Sequence, residues 1–192
     1  MGDIKWLKET GLFTKIRELA ASGKMVIGIC GGFQMLGKLI EDEIGAEKKG
    51  SEEGLSLLPV TTAFSSEKTL KQVEGTIEGA EGIYERLNGC SIKGYEIHMG
   101  KSSYQAKGQP MDDHKRFVIT NGNVLGSYVH GIFDSKDFAE KILDIVGERK
   151  ELPKKIYGLE SKSDIQEREL DKLADVLREN LDWKLIYNAI GL

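Results

Sequence analysis

The stretch Val26-Ile27-Gly28-Ile29-Cys30-Gly31-Gly32-Phe33-Gln34-Met35-Leu36-Gly37 decides the fold. Its first half, with Met25, is a continuous apolar run too short for a helix, and it suits a strand buried on both faces in a parallel sheet. Phe33 to Ile40 then takes up helical spacing. Strand, tight glycine turn and helix in direct succession give α/β organisation. A side chain held at so sharp a turn requires a strained backbone with small neighbours, and Gly28 and Gly32 are those neighbours. The arrangement is the thiol counterpart of the strand-to-helix turn that carries serine in G-x-S-x-G sequences. At the start of a helix, free N–H groups and the helix dipole favour the thiolate of Cys30, and the Gly31 N–H can hydrogen-bond an oxyanion. The plainer reading is a buried cysteine ending a strand, with glycines that serve only packing. The pentapeptide alone leaves both open.

Outward from this turn, residues 4–22 lay Ile4, Leu7, Leu12, Ile16, Leu19 and Ala20 along one apolar stripe, a helix interrupted near Gly11 and capped by Gly23. Residues 45–53 are charged and glycine-rich, which reads as a loop. "GLSLLPV" and "KQVEGTI" read as strands separated by a polar stretch, "GYEIHMG" as a short strand, and 101–115 as a polar loop. "RFVIT" and "VLGSYVH", joined by Asn121-Gly122-Asn123, have the pattern of two strands around an Asn-Gly turn. Phe138–Val146 is helical, a lysine-rich link contains Pro153, and a last helix spans about 163–181 with its leucines on one side. One amphipathic helix is all that precedes the first strand, so an open sheet edge prone to association is expected.

The 192 residues are 40% hydrophobic and 30% charged, which suits one domain with a sizeable core. The net charge of −4, with both signs interspersed, lacks the basic footprint of a nucleic-acid binder. No apolar run approaches the roughly 20 residues that span a bilayer, and no signal peptide is evident. A cytoplasmic location without membrane attachment is the expectation. Cys30 and Cys90 are too few for a disulfide framework, and neither has zinc-site spacing, so no metal is expected.

A thiol nucleophile needs a base, usually a histidine that the fold brings close. Of three histidines, His114 in "MDDHKR" reads as a solvated surface residue. His98 and His130 each end an apolar strand-like run, and strand ends are where sites on open α/β sheets gather. Each alone could equally be a satisfied core histidine.

With these residues in view, "GICGGFQMLG", "GLSLLPV", "EKTLKQVEG", "GYEIHMG", "GSYVHGIF" and "ERELDKLADVLRENLDWKLIY" resemble, in order, the glutaminase domain of cobyric acid synthase, a class I glutamine amidotransferase. The resemblance covers almost the whole chain. It implies a flavodoxin-like sheet flanked by helices in one domain over residues 1–192, N-terminally truncated, with 160–192 a C-terminal helical segment. It makes Cys30 the nucleophile that forms a γ-glutamyl thioester and releases ammonia, and His130 its general base and acid. Gly31 and Gln34, which completes C-x-G-x-Q, are implied as substrate-binding residues.

Many class I enzymes place a glutamate two residues after the catalytic histidine. Here that residue is Ile132, so another group must orient His130, a backbone carbonyl or Glu96 being the candidates. Along "GYEIHMG", Glu96 and His98 share one face and Tyr95 takes the other. Glu96 and His98 are therefore candidates for lining the glutamine pocket, against a structural hydrogen-bonding role.

The implied partner is a synthetase domain or subunit that uses ATP and magnesium to amidate the carboxylates of a corrinoid, no cofactor being expected in this chain. The family's synthetase domain and an oxyanion-donating Pro-Gly loop precede the matched region, and loss of one oxyanion donor costs about 10²-fold or more. Low activity of the chain alone is the resulting expectation. A glutaminase serving another acceptor such as lipid II, and a non-catalytic remnant that binds a partner subunit, are the alternatives.

Overall fold

The computed structural model describes residues 1–106, 109–110, 116–153 and 158–191. It divides into two compact units, Met1–Ile156 and Tyr157–Leu192. Among the described residues no helix is long and apolar enough to cross a membrane. His114, read above as a surface residue, lies outside the described residues.

The first unit is α/β. Helices α1 (Gly2–Glu9) and α2 (Leu12–Ala21) are separated by Gly11, whose φ of 76° only glycine adopts cheaply. Strand β1 (Val26–Ile29) leads through Cys30 into α3 (Gly31–Leu36). The expected helix over 33–40 is shorter than its spacing suggested. After Gly37 the chain turns extended and forms β2 (Leu39–Asp42), because the Lys38 N–H bonds the Val60 carbonyl and Leu39 pairs with Thr61. Pairing with a distant strand here overrides local periodicity.

Part of the stretch read as a loop over 45–53 is strand β3 (Gly50–Glu53), antiparallel to β2. It lies at the edge of its sheet and therefore shows no apolar alternation, while its Glu52 carboxylate pairs with Lys5 at 3.0 Å and Lys8 at 3.1 Å. The segment "GLSLLPV" is not a strand before Val60. The Leu55, Leu57 and Leu58 N–H groups instead bond the Met35 and Leu36 carbonyls, satisfying orphan acceptors at the end of α3.

The next two strands are long. β4 (Val60–Thr76) runs through the polar stretch with a register shift between Phe64 and Thr69, and β5 (Ser91–Ala106) extends into what had read as loop. With β6 (Gln109–Pro110) they complete a five-stranded mixed sheet in the order β3-β2-β4-β5-β6.

The remaining strands, β7 (Ile119–Asn121) and β8 (Val124–Ser127), form the expected hairpin, with Gly122 at φ 58° in its two-residue turn. Asn123 in that turn donates from Nδ2 to the Ala20 and Lys24 carbonyls, and its own carbonyl accepts from the Val26 N–H. The turn thereby sets the parallel register of β1 on β8, which pairs Ile29 with Ser127.

The resulting sheet has the order β1-β8-β7, so β8 is central and buried on both faces. Leu125 and Val129 enter one core with Tyr84, Ile92 and the Phe138, Ile142 and Ile145 side chains of α4 (Lys136–Arg149). Val124 and Tyr128 enter the other with Phe33, Leu36, Leu58 and Val60. Among the described residues β1 pairs with β8 alone, and an apolar groove of about 330 Å³ lies along it, lined in part by Leu7, Ile16, Leu19, Met25, Ile27 and Met35.

In the second unit, α5 (Lys162–Asn180) starts in a capping box of Ser161 and Asp164. A further helix, α6 (Trp183–Ile190), is capped by Asp182.

Gly126 is where α3 seats on β8. A Cβ there would lie 2.1 Å from Phe33 Cδ2 and 2.7 Å from Leu58 Cδ1. Gly126→Ala is expected to destabilise the fold by about 1–3 kcal/mol, the usual range for overpacking. A lowered urea midpoint at unchanged slope is the result to look for, and an unchanged midpoint would contradict this packing.

Candidate active site

Cys30 stands at φ 52°, ψ −112°, between β1 and α3. Positive φ in a non-glycine residue costs about 1–3 kcal/mol and persists only where the surroundings enforce it. They do so here. A Cβ on Gly28 would lie 2.7 Å from the backbone of Gly32, so the strand and the first turn of the helix touch through their glycines as the sequence implied. The Cys30 N–H donates to the Ser127 carbonyl at 2.8 Å, and the thiol donates to the Ile97 carbonyl at 3.5 Å.

The electrostatics at the sulfur differ from the expectation of a favoured thiolate. Burial pushes the thiol above its ordinary value, and the Gly31 N–H at the sulfur offsets only part of that rise. The reason is position: Cys30 is half-buried, and desolvation outweighs the few free N–H groups of a six-residue helix. Cys90 is wholly buried in the apolar core and far from any such turn in sequence.

His130 follows the end of β8 and faces β5. Its N–H donates to the Tyr95 carbonyl at 2.8 Å, its carbonyl accepts from the Tyr95 N–H at 3.2 Å, and its ring stacks on Tyr95 with centroids 5.0 Å apart. His130 Nε2 is buried and has no hydrogen-bond partner among the described residues. Both sequence-derived candidates therefore abut the same short piece of β5, His130 at Tyr95 and Cys30 at Ile97.

Glu96 does not serve as the orienting group considered for His130. Its buried carboxylate lies 3.1 Å from Lys71 Nζ and 3.6 Å from His98 Nε2. Burial alone would raise its pKa, but His98 and Lys71 together outweigh it and hold the carboxyl below its ordinary value. At 3.6 Å the histidine contact is electrostatic, so Lys71 is the closer partner. His98 Nδ1 is 2.7 Å from the Gly100 carbonyl, which can only accept, so Nδ1 carries the hydrogen.

The His98 ring stacks on Tyr128 at 3.8 Å between centroids. The Tyr128 hydroxyl accepts from Gln34 Nε2 at 3.2 Å and lies 2.6 Å from Ser102 Oγ, itself 2.7 Å from Thr62 Oγ1. Gln34 is thus buried with its amide nitrogen committed to Tyr128. Tyr128, Ser102, Thr62, Lys71 and Tyr95 were not singled out from the sequence. Two signals were present: Tyr128 stands two residues before His130, and Lys71 lies in the segment "EKTLKQV".

The family model for the CobB/CobQ-like glutamine amidotransferase domain matches residues 1–138 of this chain. Cobyric acid synthase from Ruminiclostridium cellulolyticum is 38% identical over 200 residues, covering 99% of this chain and 39% of that protein. The protein of the same name from Alkaliphilus metalliredigens is 39% identical over 203 residues, covering 99% of this chain and 40% of its own length. The chain thus spans about two fifths of the curated relatives it matches. A solved structure titled as a glutamine amidotransferase aligns at TM-score 0.48 and 16% identity over 75% of this chain and 72% of that one, a likeness on which nothing below rests.

A thiol held neutral by burial predicts slow alkylation at neutral pH. Iodoacetamide is expected to modify Cys30 more slowly than an unstructured peptide thiol at pH 7, with a rate still climbing above the ordinary thiol pKa of about 8.5. Mass spectrometry of the native protein reads this, with Cys90 modified only on unfolding. A rate that levels off below pH 8 would show the thiolate to be favoured instead.

Proposed function

The chain belongs to the CobB/CobQ-like glutamine amidotransferase family, and from that premise we propose that it is the glutamine-hydrolysing module of a cobyric acid synthase. In this reading it releases ammonia for the amidation of corrinoid carboxylates. ATP and magnesium are assigned to a synthetase portion or partner beyond these residues. The observation that carries the reading is the strained, glycine-walled turn at Cys30, set against the same stretch of β5 that holds His130.

The chemistry follows from the residues. His130 takes the proton of Cys30, and the sulfur attacks the side-chain amide carbon of glutamine. The carbonyl oxygen becomes an oxyanion that accepts from the Gly31 N–H. His130 returns the proton to the amide nitrogen as its bond to carbon breaks, so that ammonia leaves and a γ-glutamyl thioester remains. Water then attacks the thioester with His130 taking its proton, glutamate departs, and the proton returns to sulfur. Because burial disfavours the free thiolate, proton transfer and attack are best coupled within the substrate complex. Gln34, Glu96 and His98 are assigned to the surroundings of the glutamine, Gln34 and His98 sharing Tyr128 as support.

The electrophilic glutamine analogue 6-diazo-5-oxo-L-norleucine tests this directly. It is expected to label Cys30 in the wild type and in Cys90→Ser, to leave Cys30→Ser unlabelled, and to be blocked by excess glutamine. His130→Ala should slow labelling by about 10²-fold or more, the ordinary value of a general acid–base group. Labelling of Cys90 at an equal rate, or none at Cys30 in the folded chain, would overturn the assignment.

A further inference from the structure

A histidine that moves protons between a sulfur and a leaving nitrogen must keep its ring within about 10–20° of the productive orientation. A carboxylate bonded to one ring nitrogen is the usual device. No such bond to His130 is found among the described residues. Ile132, two residues on, is 1% exposed and apolar, and the Glu96 carboxylate is taken by Lys71 and His98. His130 Nε2 has no partner among the described residues.

What does touch the imidazole is the Tyr95 ring, stacked at 5.0 Å and 8° from parallel. The backbones of the same two residues are joined by a reciprocal pair of hydrogen bonds, which fixes the root of the side chain as the stack fixes its plane. Gly94 makes that approach possible, since a Cβ there would lie 2.2 Å from the His130 carbonyl oxygen. Two residues along from Tyr95, the Ile97 carbonyl accepts from Cys30.

Resting on His130 as the proton-transfer group, we propose that Tyr95 is its positioning residue, holding the imidazole face in place of a carboxylate. A holder on the face takes up neither ring nitrogen, and Nε2 is buried without a partner among the described residues. The contact uses the ring and not the hydroxyl, so phenylalanine should replace tyrosine and alanine should not.

The test compares the wild-type chain with Tyr95→Phe and Tyr95→Ala, by glutamine turnover and by proton NMR of the imidazoles, which three histidines make tractable. Tyr95→Phe is expected to keep kcat within about twofold of wild type, and Tyr95→Ala to lose about three- to tenfold in kcat, the size of one aromatic contact, with KM and melting temperature unchanged. The His130 ring protons should be shifted upfield by the stacked ring in wild type and Tyr95→Phe, and return downfield in Tyr95→Ala. If the alanine variant does not fold, Tyr95→Leu takes its place. A ringless variant with wild-type kcat and unmoved His130 protons, or a loss confined to KM, would overturn the proposal. If the wild-type chain turns over no glutamine, the glutaminase reading fails for this chain, and the NMR arm decides alone. A shift lost only in the ringless variant then supports the stack, and the same shift in all three overturns it.

Discussion

The backbone of Cys30 carries a strain of about 1–3 kcal/mol, and much of the first unit serves to hold it there. Two glycines let β1 and α3 touch. A third, Gly126, lets Phe33 of that helix pack closely against β8. A six-residue helix has almost no stability of its own, so its end is secured from outside. Residues 55–58 close its last carbonyls, and Leu55 and Leu58 sink into the core beside it. The Asn123 turn fixes β1 against β8. Relax any of these and the turn can fall back to an ordinary conformation that no longer presents the sulfur to β5.

The second organising element is β5, which serves the site on both its faces. On one, Glu96 and His98 stand in line, bound to Lys71 and Tyr128. On the other, Tyr95 meets His130. A buried carboxylate is tolerable only when paired, and Lys71, directly across the ribbon from Glu96, supplies the pairing. The stacked His98 and Tyr128 rings, continued by the Tyr128 hydroxyl to Ser102 and Thr62, then tie β5 and β4 to the segment that follows β8. Such a network fixes the place of Gln34 more firmly than apolar packing would.

How much of this could be read from the sequence follows from how local each feature is. The turn at Cys30 was legible because its constraint lies within five residues, and the β7–β8 hairpin because the turn-forming run Asn121-Gly122-Asn123 separates two apolar segments, its last two residues making the connection. β2 and β3 were not, because Leu39 and Glu52 are made strand residues by partners far along the chain, and Glu52 faces lysines rather than a core. The length of the β4–β5 ribbon was hidden for the same reason, its polar half showing no apolar alternation. At the site, strand alternation correctly separated Tyr95 from Glu96 and His98, but it did not show that the Tyr95 ring meets His130. Alternation gives faces but does not say which neighbour each face will meet.

The burial of Cys30 is what makes these geometric devices necessary. A thiolate–imidazolium pair formed before substrate arrives would be held together by its own charge, but burial of Cys30 disfavours the thiolate. A neutral thiol is attracted to an imidazole only weakly and does not align itself with it. Their relative position must then come from the backbone, through a strained turn on one side and a clamped strand end on the other. Charge would develop only as the substrate carbonyl accepts electrons, where the Gly31 N–H is placed to receive it. A site so arranged stores its preorganisation in packing rather than in ion pairs, and depends correspondingly on the glycines that let its strands approach.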